Sequence, residues 1–91
     1  MGVKIYLHWH EWQELANKQT VIEVNGSTTG QCLNRLVEDF PNLKTEIFDK
    51  NGDLLGYLTI FVNKEPAFPD ELARPVKDGD EIHIVPLIAG G

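Results

Sequence analysis

An α+β fold, in which a mixed four- to five-stranded sheet carries one main helix, is what this 91-residue sequence predicts. Three observations carry the prediction. Short alternating or β-branched runs recur at residues 3–8, 20–24, 57–63 and 81–85. Leu33, Leu36, Val37 and Phe40 stand at i, i+3, i+4 and i+7, the spacing of one helix face. That lone helical run falls between two pairs of strands, so the helix crosses one face of a single sheet.

Each element follows from local chemistry. "VKIYLH", residues 3–8, alternates apolar and polar side chains and reads as a strand. "TVIEV", 20–24, is β-branched and is ended by the turn residues Asn25, Gly26 and Ser27. In "TTGQCLNRLVEDFP", Thr28 with Gln31 three later forms a capping-box pattern, and Pro41 disfavours helix at Phe40, so the helix spans about 28–40. "DKNGDL" holds a turn at Asn51-Gly52. "YLTIFVN", 57–63, is a strong strand, and the proline-rich "KEPAFPDELARP" is a surface connection with room for one short strand. A turn at Asp78-Gly79 leads into the last strand, 81–85. The order is that of a β-grasp, the ubiquitin-like roll. Its last strand is expected inside the sheet beside the first, and residues 87–91 are expected to form a flexible tail. The whole chain, 1–91, is one domain. Ile5, Leu7, Ile22, Val24, Leu33, Leu36, Val37, Phe40, Ile60, Val62, Ile82 and Ile84 are the expected core.

Composition excludes several functions. Fourteen acidic against eight basic residues give a net charge of −6, which disfavours nucleic acid and favours a basic protein partner. No apolar run reaches the roughly 18 residues of a membrane span, and "MGVKIYLHWH" is not a secretory signal. Tyr6 stands where N-myristoylation needs Ser or Thr. The single Cys32 can build neither an internal disulfide nor a four-thiolate cluster, which suits a reducing cytoplasm.

Local motifs for catalysis are weak. His8 and His10 lie on one side if the first strand extends that far, and His83 lies on the neighbouring last strand. No further ligand arrives at a recognisable spacing, so no metal is expected. Asp49, Asn51 and Asp53 suggest a calcium loop, but Gly52 is in the wrong register and Ile60 stands where the closing glutamate belongs. Cys32 reads as a small buried hydrophobe rather than a nucleophile. "NGSTTG" lacks the ending of a phosphate-binding loop, so no cofactor is expected to bind, ATP included.

The sequence "VPLIAGG" remains. A terminal carboxylate becomes reactive when adenylated, and a sulfur nucleophile can then displace AMP to leave a thiocarboxylate. Gly90 and Gly91 lack side chains, so they pass a narrow channel and accept whatever backbone angles an active site imposes. Leu87, Ile88 and Ala89 would seat the root of the tail on a partner. On the sheet face opposite the helix, Tyr6, Phe61, His83 and Val85 alternate with core residues and form an expected partner surface.

Strand order, the capped helix "TTGQCLNRLVEDFPNL", the "FVNKE" step and above all "KDGDEIHIVPLIAGG" together resemble the MoaD/ThiS family of β-grasp sulfur carriers over nearly the whole chain. The length and extended middle look most like the molybdopterin-synthase small subunits and the cysteine-biosynthesis carriers. Leu87 after Pro86 departs from the two prolines common in the molybdopterin members; cysteine-pathway carriers often lack the second as well. "HWHEWQEL" replaces the more usual small-residue, Arg-Glu-Leu stretch after the first strand. The resemblance implies a cytoplasmic carrier, a co-substrate rather than an enzyme. An E1-like enzyme that uses ATP adenylates Gly91, a sulfur donor converts it to a thiocarboxylate, and a sulfur-accepting synthase subunit receives the sulfur for molybdenum cofactor. Alternatives are delivery to cysteine or another sulfur metabolite, conjugation of Gly91 to a lysine, and a ubiquitin-like interaction module that is never modified.

Overall fold

The computed structural model describes residues 2–86. In chain order the elements are β1 (Val3–Leu7), α1 (His10–Leu15), β2 (Val21–Val24), α2 (Thr29–Asp39), a 3-10 turn (Pro41–Leu43), α3 (Lys44–Ile47), β3 (Leu58–Val62), β4 (Glu65–Pro66) and β5 (Glu81–Pro86). The strands form one mixed sheet in the order β2-β1-β5-β3-β4. β1 and β5 run parallel at its centre, and the other pairs are antiparallel. This is the expected β-grasp, with the last strand beside the first. Expectations placed on Leu87, Ile88, Ala89, Gly90 and Gly91 lie outside the described residues.

The pleat sets the core. Val3, Ile5, Leu7, Ile60, Val62, Ile82 and Ile84 alternate along their strands and turn to one face, where Cys32, Leu33 and Leu36 of α2 meet them. Val37 and Phe40 only pack against this core, half-buried, rather than lying within it as expected. Val37 stands on the flank of α2, and Phe40 is its C-cap, with non-helical backbone. Trp12, Ala16, Leu43, Ile47 and Phe48 join the core from outside the expected strands and helix.

Helix α2 begins as its sequence dictates. Thr28 caps it, its hydroxyl accepting from the Gln31 N–H at 3.1 Å. The Gln31 amide oxygen reaches back to the Ser27 N–H at 2.7 Å, one residue beyond the usual capping box. Gly30 is needed for close approach: its N–H donates to the Leu72 carbonyl at 2.8 Å, and a Cβ there would lie 2.7 Å from that oxygen.

Two corrections concern the first connection. β1 ends at Leu7, so His8 and His10 do not share a strand, and "HEWQEL" is the helix α1. Tertiary contacts hold this short helix: Trp12 is buried, its indole N–H donates to Glu46 at 3.1 Å, and Gln13 donates to the Leu7 carbonyl at 2.8 Å.

Candidate functional site

The sequence motif around "DGDEI" serves the architecture. Asn63, at the end of β3, has a φ of 59°, the left-handed region that asparagine tolerates best among residues with a side chain. From there its backbone N–H donates to the Glu81 carbonyl at 2.7 Å, and its side-chain oxygen accepts from the Glu81 N–H at 3.1 Å. Its amide also donates to Asp80 at 3.2 Å. Asp80 accepts from the Lys77 N–H at 3.0 Å; that backbone bond holds its carboxyl below the usual range, helped by Asn63 and opposed by slight desolvation. The "VN" step and the "DGDE" turn are therefore two halves of one clamp that aims β5. β5 in turn carries the chain to Pro86, the last described residue before "LIAGG".

The outward face of the sheet carries the residues expected on a partner surface. Register places Val21 opposite Tyr6, Tyr6 opposite His83, His83 opposite Phe61, and Phe61 opposite Pro66, one row across all the strands. Val85 sits two residues further along β5, opposite Thr59. Tyr6, Phe61, His83 and Val85 are half-buried. The Tyr6 and His83 rings stack at 4.5 Å, and His8 stacks on His83 at 5.2 Å. His8 Nε2 and His83 Nδ1 share a hydrogen bond of 2.9 Å, while His83 Nε2 and the Tyr6 hydroxyl both face the Glu81 carboxylate, at 3.3 and 3.4 Å. Val21 and Pro66 belong to this row and went unnamed in the sequence; strand register reveals them.

Burial, and then the charge of His83, lower the His8 pKa from its ordinary 6.5. The sign follows. As pH falls through 6.5 the unfolded chain takes up a proton that the folded chain still refuses. Stability attributable to His8 is thus full above that window and declines as pH falls through it to the lower folded value. The melting temperature is expected to fall as pH falls through 6.5 toward the lower folded value, and His8→Gln should make that fall shallower. Equal slopes for the two proteins in a pH series of thermal melts would contradict the assignment.

His10 instead opens α1 and lies 4.0 Å from Glu14. Among the described residues no group of His, Cys, Asp and Glu is placed to hold a metal ion. In the "DKNGDL" loop one Asp49 oxygen accepts from the N–H groups of Asn51 and Asp53, which makes it a turn. Cys32 is fully buried and burial pushes its thiol pKa up, so it is poorly suited to act as a nucleophile.

At the end of the sheet where β1 and β5 finish and β3 begins, a groove of about 700 Å³ opens beside Pro86. Trp9, Trp12, Leu15 and Tyr57 line it. The parallel register explains the gathering. Leu7 pairs with Ile84, so the chain at Trp9 leaves the sheet level with Pro86, and Pro86 itself pairs with Leu58, next to Tyr57. The two indoles meet at 4.3 Å, tilted by 50°. The sequence pattern did not disclose this groove.

The family model described as "ThiS family" matches residues 10–91. Small archaeal modifier protein 1 of Haloferax volcanii is 32% identical over 80 residues, which cover 86% of this chain and 88% of that protein. The sulfur carrier protein CysO of Mycobacterium tuberculosis is 30% identical over 76 residues, covering 80% and 82%. Among solved structures, the small archaeal modifier protein 1 of Methanosarcina acetivorans superposes with a TM-score of 0.81 at 29% identity, covering 98% of this chain and 95% of that one. The BexX/CysO complex of Amycolatopsis orientalis contains a chain that superposes with a TM-score of 0.85 at 23% identity, covering 99% and 100%, a likeness of fold.

Proposed function

The chain belongs to the ThiS family of ubiquitin-like sulfur carriers, and from that membership we propose that Gly91 is the group that is activated and loaded with sulfur. One observation carries the reading: the family match runs through Ala89 and Gly90 to Gly91. The chemistry is a two-step exchange at one carbonyl. A Gly91 carboxylate oxygen attacks the α-phosphorus of ATP on an E1-like partner, and pyrophosphate leaves. Hydrosulfide, or a donor equivalent to it, then attacks the carbonyl carbon; a C–S bond forms, the C–O bond to AMP breaks, and a proton is released. The product is a thiocarboxylate, nucleophilic at neutral pH. The carrier is a cytoplasmic co-substrate, and the ATP is bound by its partner.

The sheet face bearing Tyr6, Phe61, His83 and Val85 docks the activating enzyme, and Leu87, Ile88 and Ala89 seat the tail in its channel. The solvent-facing aromatic row supports this, since such patches mark binding sites. Phe61→Asp is expected to leave the core intact, because Phe61 turns away from it, and to weaken partner binding by about 2 kcal/mol or more. Unchanged affinity in calorimetry with the cognate enzyme would remove this face from the interface.

Two recipients fit. Molybdopterin synthase is one. A cysteine-forming enzyme is favoured by the relative named CysO and by Leu87 after Pro86. Conjugation to a protein lysine is a further reading, favoured by the relative named a modifier protein. Loading the carrier and then supplying candidate acceptors separates them: sulfur donation returns the carrier to its original mass, whereas conjugation consumes it into a larger adduct.

A further inference from the structure

We propose that the groove beside Pro86 seats a basic, partly apolar segment of the adenylating partner, with an arginine or lysine packed on Trp9 and paired with carboxylates of α1; this rests on the carrier reading above. The groove has an apolar floor, formed by Trp9, Trp12 and Leu15, and Tyr57 is exposed on its wall. Its charged side chains are mainly acidic. Glu11, Glu14 and Glu46 line it together with His10, and among the described residues no lysine or arginine does. Glu46 is partly engaged by the Trp12 indole, but Glu11 and Glu14 are exposed on α1, and His10 lies 4.0 Å from Glu14. An indole face bordered by carboxylates suits a guanidinium or ammonium group, which gains from the ring and from the ion pair together.

Position argues for the adenylating partner in particular. Gly91 is five residues beyond Pro86, and an extended chain of that length reaches at most about 18 Å. Any enzyme that acts on Gly91 must therefore bring its active site close to this end of the sheet. An enzyme that also docks on the outward face would pass the groove on the way. The groove would then add specificity at the one place every productive complex has to approach.

The test uses the full chain and the cognate E1-like enzyme, with pyrophosphate exchange and calorimetry as readouts. Glu11→Lys with Glu14→Lys replaces exposed side chains, so the fold should persist. This pair is expected to raise the dissociation constant about tenfold and to flatten its dependence on salt. Trp9→Ala should raise KM for the carrier about tenfold with kcat little changed. Affinities and salt slopes within about twofold of wild type in both variants would overturn the proposal. If wild-type carrier supports no exchange at all, the carrier reading falls and this one with it; a failure confined to the groove leaves the carrier reading standing. Two other occupants are tested directly. Blue-shifted tryptophan emission that is lost on deleting residues 87–91 would identify the chain's own tail in the groove. Self-association that Trp9→Ala abolishes would identify a second copy. Either result would overturn the assignment to the partner.

Discussion

Deletion of Gly90 and Gly91 is expected to reduce carrier-dependent pyrophosphate exchange to the level seen without carrier, the largest functional effect available in this chain. The deletion removes the reacting carbonyl and shortens the tail. Stability should stay within about 0.5 kcal/mol of wild type, because the described core closes at Ile84. Gly90→Val is the graded counterpart. It keeps the carbonyl, but a β-branched side chain restricts the backbone and fills the channel. It should bind the enzyme and react slowly. Exchange by the double deletion at the wild-type rate would locate the reaction elsewhere.

The largest structural effect is expected from Leu36→Ala. Leu36 is fully buried on the face of α2 that meets the sheet. Truncation removes its transfer energy and leaves a cavity, so a loss of about 3 kcal/mol is expected. For a domain this small that is a large share of a total near about 5–15 kcal/mol. Urea unfolding followed by circular dichroism measures it, with the slope unchanged if only stability is altered. A loss below about 1 kcal/mol would mean that α2 does not pack as described.

Much of this architecture was legible because two periodicities were clear. Period-two alternation placed Tyr6, Phe61, His83 and Val85 opposite Ile5, Val62 and Ile84, and the sheet keeps that division. The helical spacing and the Thr28 cap located α2 to within a residue of its observed ends. What escaped depended on tertiary structure. α1 and its caps do carry a signal, since Trp9, Trp12 and Ala16 recur at intervals of three and four, but charged and histidine neighbours mask it. A helix so short forms only because the indole of Trp12 is buried against the domain. Leu43, Ile47 and Phe48 entered the core from a charged segment whose apolar residues match neither period over a useful length. The His8–His83 bond and the groove at Pro86 exist only through the register of β1 against β5. No linear pattern encodes them.

Several motif residues that carry the family resemblance act on structure. Asn63, Asp80 and Glu81 clamp β5 in place, and Thr28 with Gln31 starts α2. The chemistry is assigned to a segment with almost no side chains, and a rigid sheet aims it. Under the proposed function the labour divides: the folded face supplies specificity, and Gly90 and Gly91, which lack side chains, supply the reacting carbonyl.

The central claim is that Gly91 becomes a thiocarboxylate. Intact-protein mass spectrometry after incubation with the cognate E1-like enzyme, ATP and hydrosulfide tests it most directly. The expected result is an ATP-dependent mass gain equal to one oxygen replaced by sulfur, mapped by fragmentation to Gly91. An unchanged mass, under conditions where the same enzyme consumes ATP with another carrier, would contradict the account.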